Sequence, residues 1–431
     1  MNSYIGARRI KKVSSSLCFY FVLIVFCFWP TYFLGGVNVS QKIYYFVVAG
    51  FSLLLSLVSV SRFKLDSFLS IFIGYLFLFF FVFIQDLEYA SFFHVGVIVK
   101  HFLLFIFCVC FYSILVSAFS SYEDLVRVSR AFFYLLIAQI CYVILQVIYP
   151  ESDFLSIWNH KEVVTDFGLR PPGFFDWVYA TCFFYVYFIV CCILNYSFKV
   201  SAVKNLLLLG FLLVLVLVSQ SKAGYVTVFL SILYTAFISK FFLLKNVCRI
   251  VSLMCLGVAL LIFIIVGVGI DLTYISNFVQ MFLDGKLDGS TGTRQYQAEL
   301  AISQGISYWN SGSPLAKDGI IIENAYLDYL FRYGILGGIF FILFMLSAWW
   351  YSFMVMRSVI MDFREGRVGV RPLAVVISCH VTVFASIIIN NSGSITDGYK
   401  SSFWFYIILS VLFFAKKLVS NGQKDTITGY K

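Results

Sequence analysis

Residues 199–240 read KVSAVKNLLLLGFLLVLVLVSQSKAGYVTVFLSILYTAFISK. Two apolar runs, about 205–219 and 224–239, flank the short polar hinge Ser219-Gln220-Ser221-Lys222-Ala223-Gly224. Lysines 199, 204 and 240 stand at the outer ends of the pair, and the segment contains no acid. Such a pattern is a helical hairpin crossing a membrane twice, with its basic ends on one side. The rest of the chain repeats it. Among 431 residues, 61% are hydrophobic, 20% aromatic and 12% charged, with mean hydropathy +0.94. Soluble domains carry about 25% charged residues, and surface-to-volume scaling leaves a folded soluble chain no place to hide this much apolar area. Composition therefore excludes a soluble enzyme, a disordered chain and a disulfide-stapled secreted module.

A spanning helix needs about 20 apolar residues. Twelve candidates emerge, at 14–34, 43–60, 66–84, 96–118, 131–149, 178–197, 205–219, 224–239, 250–270, 333–356, 373–390 and 402–418. The expected fold is an all-α polytopic membrane protein, one integral domain over 1–431. The first apolar run follows a basic stretch but lacks a small-residue cleavage site, so it reads as a helix and not a signal peptide.

The net charge of +10 resolves once the loops are assigned to sides. With the N-terminus inside, one side collects 21 basic and six acidic residues, a charge of +15; the other has ten basic and 15 acidic, −5. This is the positive-inside bias. It predicts cytoplasmic termini and removes any need for nucleic acid as a partner. The 11 cysteines lie in or beside the spans without metal-type spacing, and read as small hydrophobes.

Two exported segments stand out, 150–177 and the longer 271–332. Long loops between packed elements are usually functional. The inner loops are short and basic, without a Walker or Rossmann glycine pattern, so the chemistry belongs to the outer face and needs no nucleotide. Inside the membrane, Lys100 lies about five residues into the fourth span. It either snorkels to the interface or faces a cavity and meets an anion. Its neighbour is His101. His380, midway along the eleventh span, reads as a packed, hydrogen-bonded residue.

Four outer segments carry polar chemistry. Arg170-Pro171-Pro172-Gly173-Phe174-Phe175-Asp176 precedes the sixth span, its stiff loop holding Arg170 near the membrane surface beside Asp176 or a lipid headgroup. Lys222 sits in the hinge, as a turn lysine or as a cation at the outer boundary. Gly292-Thr293-Arg294 opens a short amphipathic helix lying on the membrane, with Tyr296, Leu300 and Ile302 to Ile306 on it; Arg294 there has no role in helix stability. Glu323-Asn324-Ala325-Tyr326-Leu327-Asp328 leads on to Arg332-Tyr333-Gly334 and the tenth span. Asp328 and Arg332 have the i,i+4 spacing of an ion pair, and Glu323 suits a helix first turn.

Together these segments resemble the O-antigen polymerase and ligase superfamily of bacterial inner membranes. The shared pattern is an arginine with Gly-Phe before a span, a Ser-basic turn, a loop arginine, and an acid or histidine before Asn with Tyr-Leu and a later Tyr-Gly-x-x-Gly. The spacing Arg294-x10-Gly305 resembles a polymerase loop pattern, which the Arg170 loop lacks. Ligases typically have His-Asn where this chain has Glu323-Asn324, and arginine at Lys222, so the polymerase is the closer match and the ligase the alternative.

The resemblance implies a multi-pass inner-membrane protein with its site facing the periplasm. It implies transfer of a polyprenyl-pyrophosphate-linked glycan to a sugar hydroxyl of a second lipid-linked repeat unit, without metal or other cofactor. Glu323 and Arg294 take the catalytic places, as base and cation; Arg170, Lys222, Lys100, Asn324 and Tyr326 take substrate-binding places. Fixed cations would stabilise the leaving pyrophosphate. Lipid-linked donor and acceptor, membrane lipids, a chain-length regulator and a flippase are the implied partners. Trp158, Trp309 and Tyr296 are candidate sugar-stacking rings. A lipid-linked oligosaccharide flippase is the alternative of another class, although the two halves show no repeat of the kind transporters carry.

Overall fold

The computed structural model describes residues 2–30, 37–60, 63, 65, 67–69, 72–74, 76, 92–159, 163–165, 168–175, 177–240, 289–318, 320, 322–396 and 398–428. The expected span 66–84 lies partly outside these residues. The span 250–270 and loop positions 271–288 lie wholly outside them.

Eleven longer helices are described: α1 (Asn2–Phe28), α2 (Val37–Ser59), α3 (Phe92–Ala118), α4 (Tyr122–Ile148), α5 (Val178–Ser197), α6 (Ala202–Val218), α7 (Lys222–Ile238), α8 (Gly289–Ser307), α9 (Ala325–Arg364), α10 (Val370–Ile389) and α11 (Tyr399–Thr428). A two-residue hairpin pairs Val164–Thr165 with Gly168–Leu169. Seven described helices are long and apolar enough to cross a membrane, and Val13–Phe28, α6 and α7 are shorter apolar helices. The chain is an α-helical, multi-pass membrane protein. Helix α9 overruns the expected 333–356 by eight residues at each end, and α1 starts 12 residues before the expected 14–34. Helix α9 runs 40 residues and contains a non-helical Gly334. Helix α3 begins four residues before the expected span, which sets Lys100 deeper in its helix than the sequence suggested.

The bundle has a basic end and a loop end. At the basic end, Asp362 accepts from Tyr122 Oη at 2.7 Å and pairs with Arg367. Asp124 Oδ2 accepts from the Ser121 backbone at 3.0 Å and starts α4. The inner helices are α5, α10 and α11, with 83%, 83% and 89% of their spans buried. Trp404 on α11 is fully buried against Phe132, Phe184 and Phe188, ring centroids 4.8–6.3 Å apart. In lipid the hydrophobic effect does not drive helices together, so such packing and interhelical hydrogen bonds do. His380 supplies one knot: Nδ1 lies 2.7 Å from Ser352 Oγ and Nε2 2.9 Å from Tyr234 Oη, joining α10, α9 and α7. That is the packed histidine the sequence suggested. Nine described cysteines are free, eight of them buried.

Candidate functional site

The loop end is built from broken helices and buried turns. Helix α9 starts at Asn324, whose side-chain oxygen accepts from Leu327 N–H at 3.2 Å. The cap therefore belongs to Asn324, and Glu323 lies one residue outside the helix. This corrects the reading of Glu323 as a first-turn residue; Asn324, expected to bind substrate, uses its side-chain oxygen for the cap. After nine residues the helix breaks at Gly334, with φ +68°. A Cβ there would sit 2.3 Å from the Trp309 carbonyl oxygen, so only glycine fits both the left-handed turn and the close approach. The break frees backbone groups, and the preceding loop takes them up. Ile335 N–H donates to Trp309 O at 2.9 Å, and Ser313 N–H donates to Phe331 O at 2.8 Å. A kink without such partners would leave polar backbone stranded at membrane depth.

Helix α8 packs along the first half of α9. Ala301, Ala316, Ile322 and Phe331 form a small core between them, and Gly305 abuts Leu330. The helix begins at Gly289, so Gly292 and Thr293 are helical and do not form the expected turn. Arg294 stands more than one turn inside. Its packing on α9 brings Arg294 Nε within 2.9 Å of Glu323 Oε2, with both side chains a little over 40% exposed. Gln297 Oε1 accepts from Glu323 N–H at 3.1 Å and fixes that backbone. One turn on, Arg332 Nε meets Asp328 Oδ1 at 2.7 Å in a nearly buried pair, as the spacing predicted. Tyr326 Oη donates to Ile387 O at 2.9 Å, which ties α9 to α10. Tyr296 and Trp309 are exposed, whereas Trp158 Nε1 donates to Phe28 O at 2.8 Å and serves packing.

The Arg170 loop lies elsewhere on the same end, and it does not rest on the surface. Residues Pro171–Phe175 are buried. Gln139 and Gln146 of α4 hold them: Phe174 N–H donates to Gln139 Oε1 and Gly173 N–H to Gln146 Oε1, both at 2.8 Å. Asn159 Nδ2 donates to Gly173 O at 3.0 Å, and the Thr181 hydroxyl donates to Pro172 O. Gly173 takes φ +64°, and a Cβ on it would collide with the Gln139 amide. Gln139 lies nine residues before the end of α4, roughly 14 Å along the axis, so the loop turns inward among the helices. Irregular backbone is tolerated at such depth only when protein surrounds it. Buried Lys400 at the start of α11 closes the cradle. Its Nζ lies 3.4 Å from Cys27 O and 5.3 Å over the Phe174 ring. A void of about 10 Å³, at the lower limit for one water, separates Lys400 from Gln139 and Phe174.

Arg170 follows the hairpin and is half-buried. Its Nη2 donates to Gln220 O at 3.3 Å. Gln220 takes the left-handed conformation, φ +47°, and Ser221 caps α7 by accepting from Gly224 N–H. Lys222 is the first residue of that helix, where the macrodipole disfavours a cation. So Arg170 and Lys222 are gathered at one hinge. Asp176, the expected partner of Arg170, lies outside the described residues. Lys100 is half-buried on α3. His101 beside it is buried, its Nε2 2.7 Å from Tyr329 Oη on the first half of α9.

The sequence thus brought two groups of its candidates into view: Arg294 with Glu323 and its capped helix, and Arg170 with Lys222. It missed the cradle of Gln139, Gln146, Asn159 and Lys400. The available signal was Gln139 and Gln146 seven residues apart, hence on one face of an otherwise apolar span. No family model and no curated protein matches the chain.

Proposed function

We propose that this protein polymerises polyprenyl-pyrophosphate-linked oligosaccharide repeat units at the periplasmic face of a bacterial inner membrane. The loop end is the periplasmic face in this reading, and the basic end the cytoplasmic one. The observation that carries it is the 2.9 Å contact between Arg294 and Glu323, 29 residues apart in sequence, at the mouth of a capped, kinked helix.

In the reaction, an acceptor sugar hydroxyl attacks the anomeric carbon of the donor glycan. The bond from that carbon to the pyrophosphate oxygen breaks, and polyprenyl pyrophosphate leaves with the electron pair. Glu323 takes the hydroxyl proton. Arg294, beside Glu323, stabilises the charge on the leaving group; Arg170 and Lys222, gathered at the hinge, act on the lipid-linked substrate from a second place on the loop end. An exposed ion pair is worth about 1 kcal/mol or less, so an incoming pyrophosphate can take Arg294 from Glu323 and leave the carboxylate facing the acceptor. Arginine suits this exchange because its fork binds phosphate oxygens in pairs. Asn324 and Tyr326 shape this region through the cap and the α10 anchor, and Lys100 is the cation offered from α3, next to the His101 that meets Tyr329.

A deletion strain tests the proposal. It should make surface polysaccharide of single repeat units and accumulate lipid-linked single repeats in the periplasmic leaflet. Accumulation in the cytoplasmic leaflet would indicate a flippase, and unaltered long chains would refute both.

A further inference from the structure

Away from the loop end, α9 presents Leu343, Leu346, Trp350 and Met354 at intervals of three and four residues, hence on one face. They are between 42% and 57% exposed. Facing them is buried Phe68, whose ring lies 5.4 Å from that of Tyr351. Between the two sides runs a groove of about 490 Å³, within the size range of small-molecule sites. Eleven residues separate Leu343 from Met354, roughly 16 Å of helix. That is about half of a ~30 Å hydrocarbon core, the depth of one leaflet.

The groove has a charged mouth. Lys416, at the basic end of α11, donates from Nζ to Ser67 Oγ at 3.0 Å and lies 4.8 Å over the Tyr351 ring. Ser67 and Tyr351 both line the groove. An apolar face alone would take any neighbouring lipid. Here an ammonium is held by a hydroxyl and a ring at one end of a channel about as long as one leaflet is deep, so a lipid whose acyl chain filled the channel would bring its phosphate to that end.

We infer that the basic end carries a binding site for an anionic phospholipid, with one acyl chain along Leu343–Met354 and the phosphate on Lys416. Neither the four loop-end segments nor the polymerase reading enters this inference. Each lysine near an anionic lipid surface contributes about fivefold in affinity, which sets the expected preference over a zwitterionic lipid.

The test uses the full chain, purified and delipidated in detergent and titrated by native mass spectrometry. The probes are phosphatidylglycerol and phosphatidylcholine with identical acyl chains. Wild type should bind phosphatidylglycerol about fivefold more tightly. Lys416→Gln should reduce that affinity to the phosphatidylcholine value, and Lys416→Arg should keep the preference. Lys417→Gln should also keep it. Leu346→Trp, which fills the groove, should weaken both lipids. Equal wild-type affinity for the two lipids overturns the site in favour of unselective annular contact. Equal losses from Lys416→Gln and Lys417→Gln overturn it in favour of diffuse surface charge. If Lys416→Gln does not fold, unchanged phosphatidylglycerol binding by Leu346→Trp overturns the groove by itself.

Discussion

Replacing Gln139 by leucine keeps the volume and removes the acceptor that holds Phe174. The bond lost is full strength, Phe174 N–H to Gln139 Oε1 at 2.8 Å. The companion donation from Gln139 Nε2 to Pro172 O is long, 3.4 Å, and counts for little. The substitution therefore strands one buried N–H, at a cost of about 1–3 kcal/mol. Gln146→Leu strands the Gly173 N–H in the same way and at similar cost, while Asn159 still serves the Gly173 carbonyl. Because both glutamines hold one turn, the turn leaves as a unit once either lets go. The double variant should cost less than the two singles together, a coupling that contacting residues usually show. Thermal unfolding in detergent measures all three, and the polysaccharide ladder measures whether Arg170 is still aimed. Strict additivity would show that the two glutamines hold the turn independently, and unfolding of Gln139→Leu at the wild-type temperature with a normal ladder would show that this α4 contact does not hold the loop.

Gly334→Ala forces a Cβ into a positive-φ, extended-ψ conformation that is essentially glycine-only, at about 1–3 kcal/mol, and pushes the Trp309 carbonyl away; lower thermal stability together with loss of long chains is expected, and wild-type stability would refute the kink geometry. Arg294→Ala and Arg170→Ala should abolish long chains at normal membrane abundance, with Arg294→Lys rescuing poorly because a point charge does not replace a fork; full activity of both alanine variants would sink the pyrophosphate clamp. A reporter inserted after Ser311 should be active only when that reporter works in the periplasm, and cytoplasmic activity would invert the proposed topology.

Where a residue's role follows from local periodicity, the sequence was readable. Helices α5, α6 and α7 start and stop within three residues of their apolar runs, because Lys199, Lys204 and the Ser-Gln-Ser hinge mark where lipid ends. The i,i+4 spacing announced the Asp328–Arg332 pair. Helix α9 starts ahead of its apolar run because Asp328 and Arg332 lower the hydropathy of its first nine residues, yet these two charges pair with each other and Phe331 buries against α8. No hydropathy window sees that pairing. The inward path of the Arg170 loop was hidden for another reason. Its partners Gln139, Gln146 and Lys400 come from helices distant in sequence, and a lone glutamine in an apolar span has several meanings until its neighbour is known. The same limit explains Glu323. A carboxylate ahead of a helix suits the macrodipole, and only the packing of α8 shows that Asn324 caps while Glu323 turns to Arg294.

In the proposed reaction Glu323 takes the proton of the acceptor hydroxyl. Glu323→Gln keeps the shape and can still accept a hydrogen bond from Arg294, but it cannot take up a proton. General-base assistance is worth about 10²–10⁴-fold, whereas losing an exposed ion pair costs about 1 kcal/mol or less of stability. The measurement is the polysaccharide ladder of a deletion strain complemented with Glu323→Gln at wild-type membrane abundance, beside Asp328→Asn, which breaks the Arg332 ion pair and leaves the Glu323 carboxylate in place. Glu323→Gln should give single capped repeats and few or no long chains, and Asp328→Asn a largely normal ladder. A normal ladder from Glu323→Gln, or loss of long chains in Asp328→Asn alone, would move the base away from Glu323.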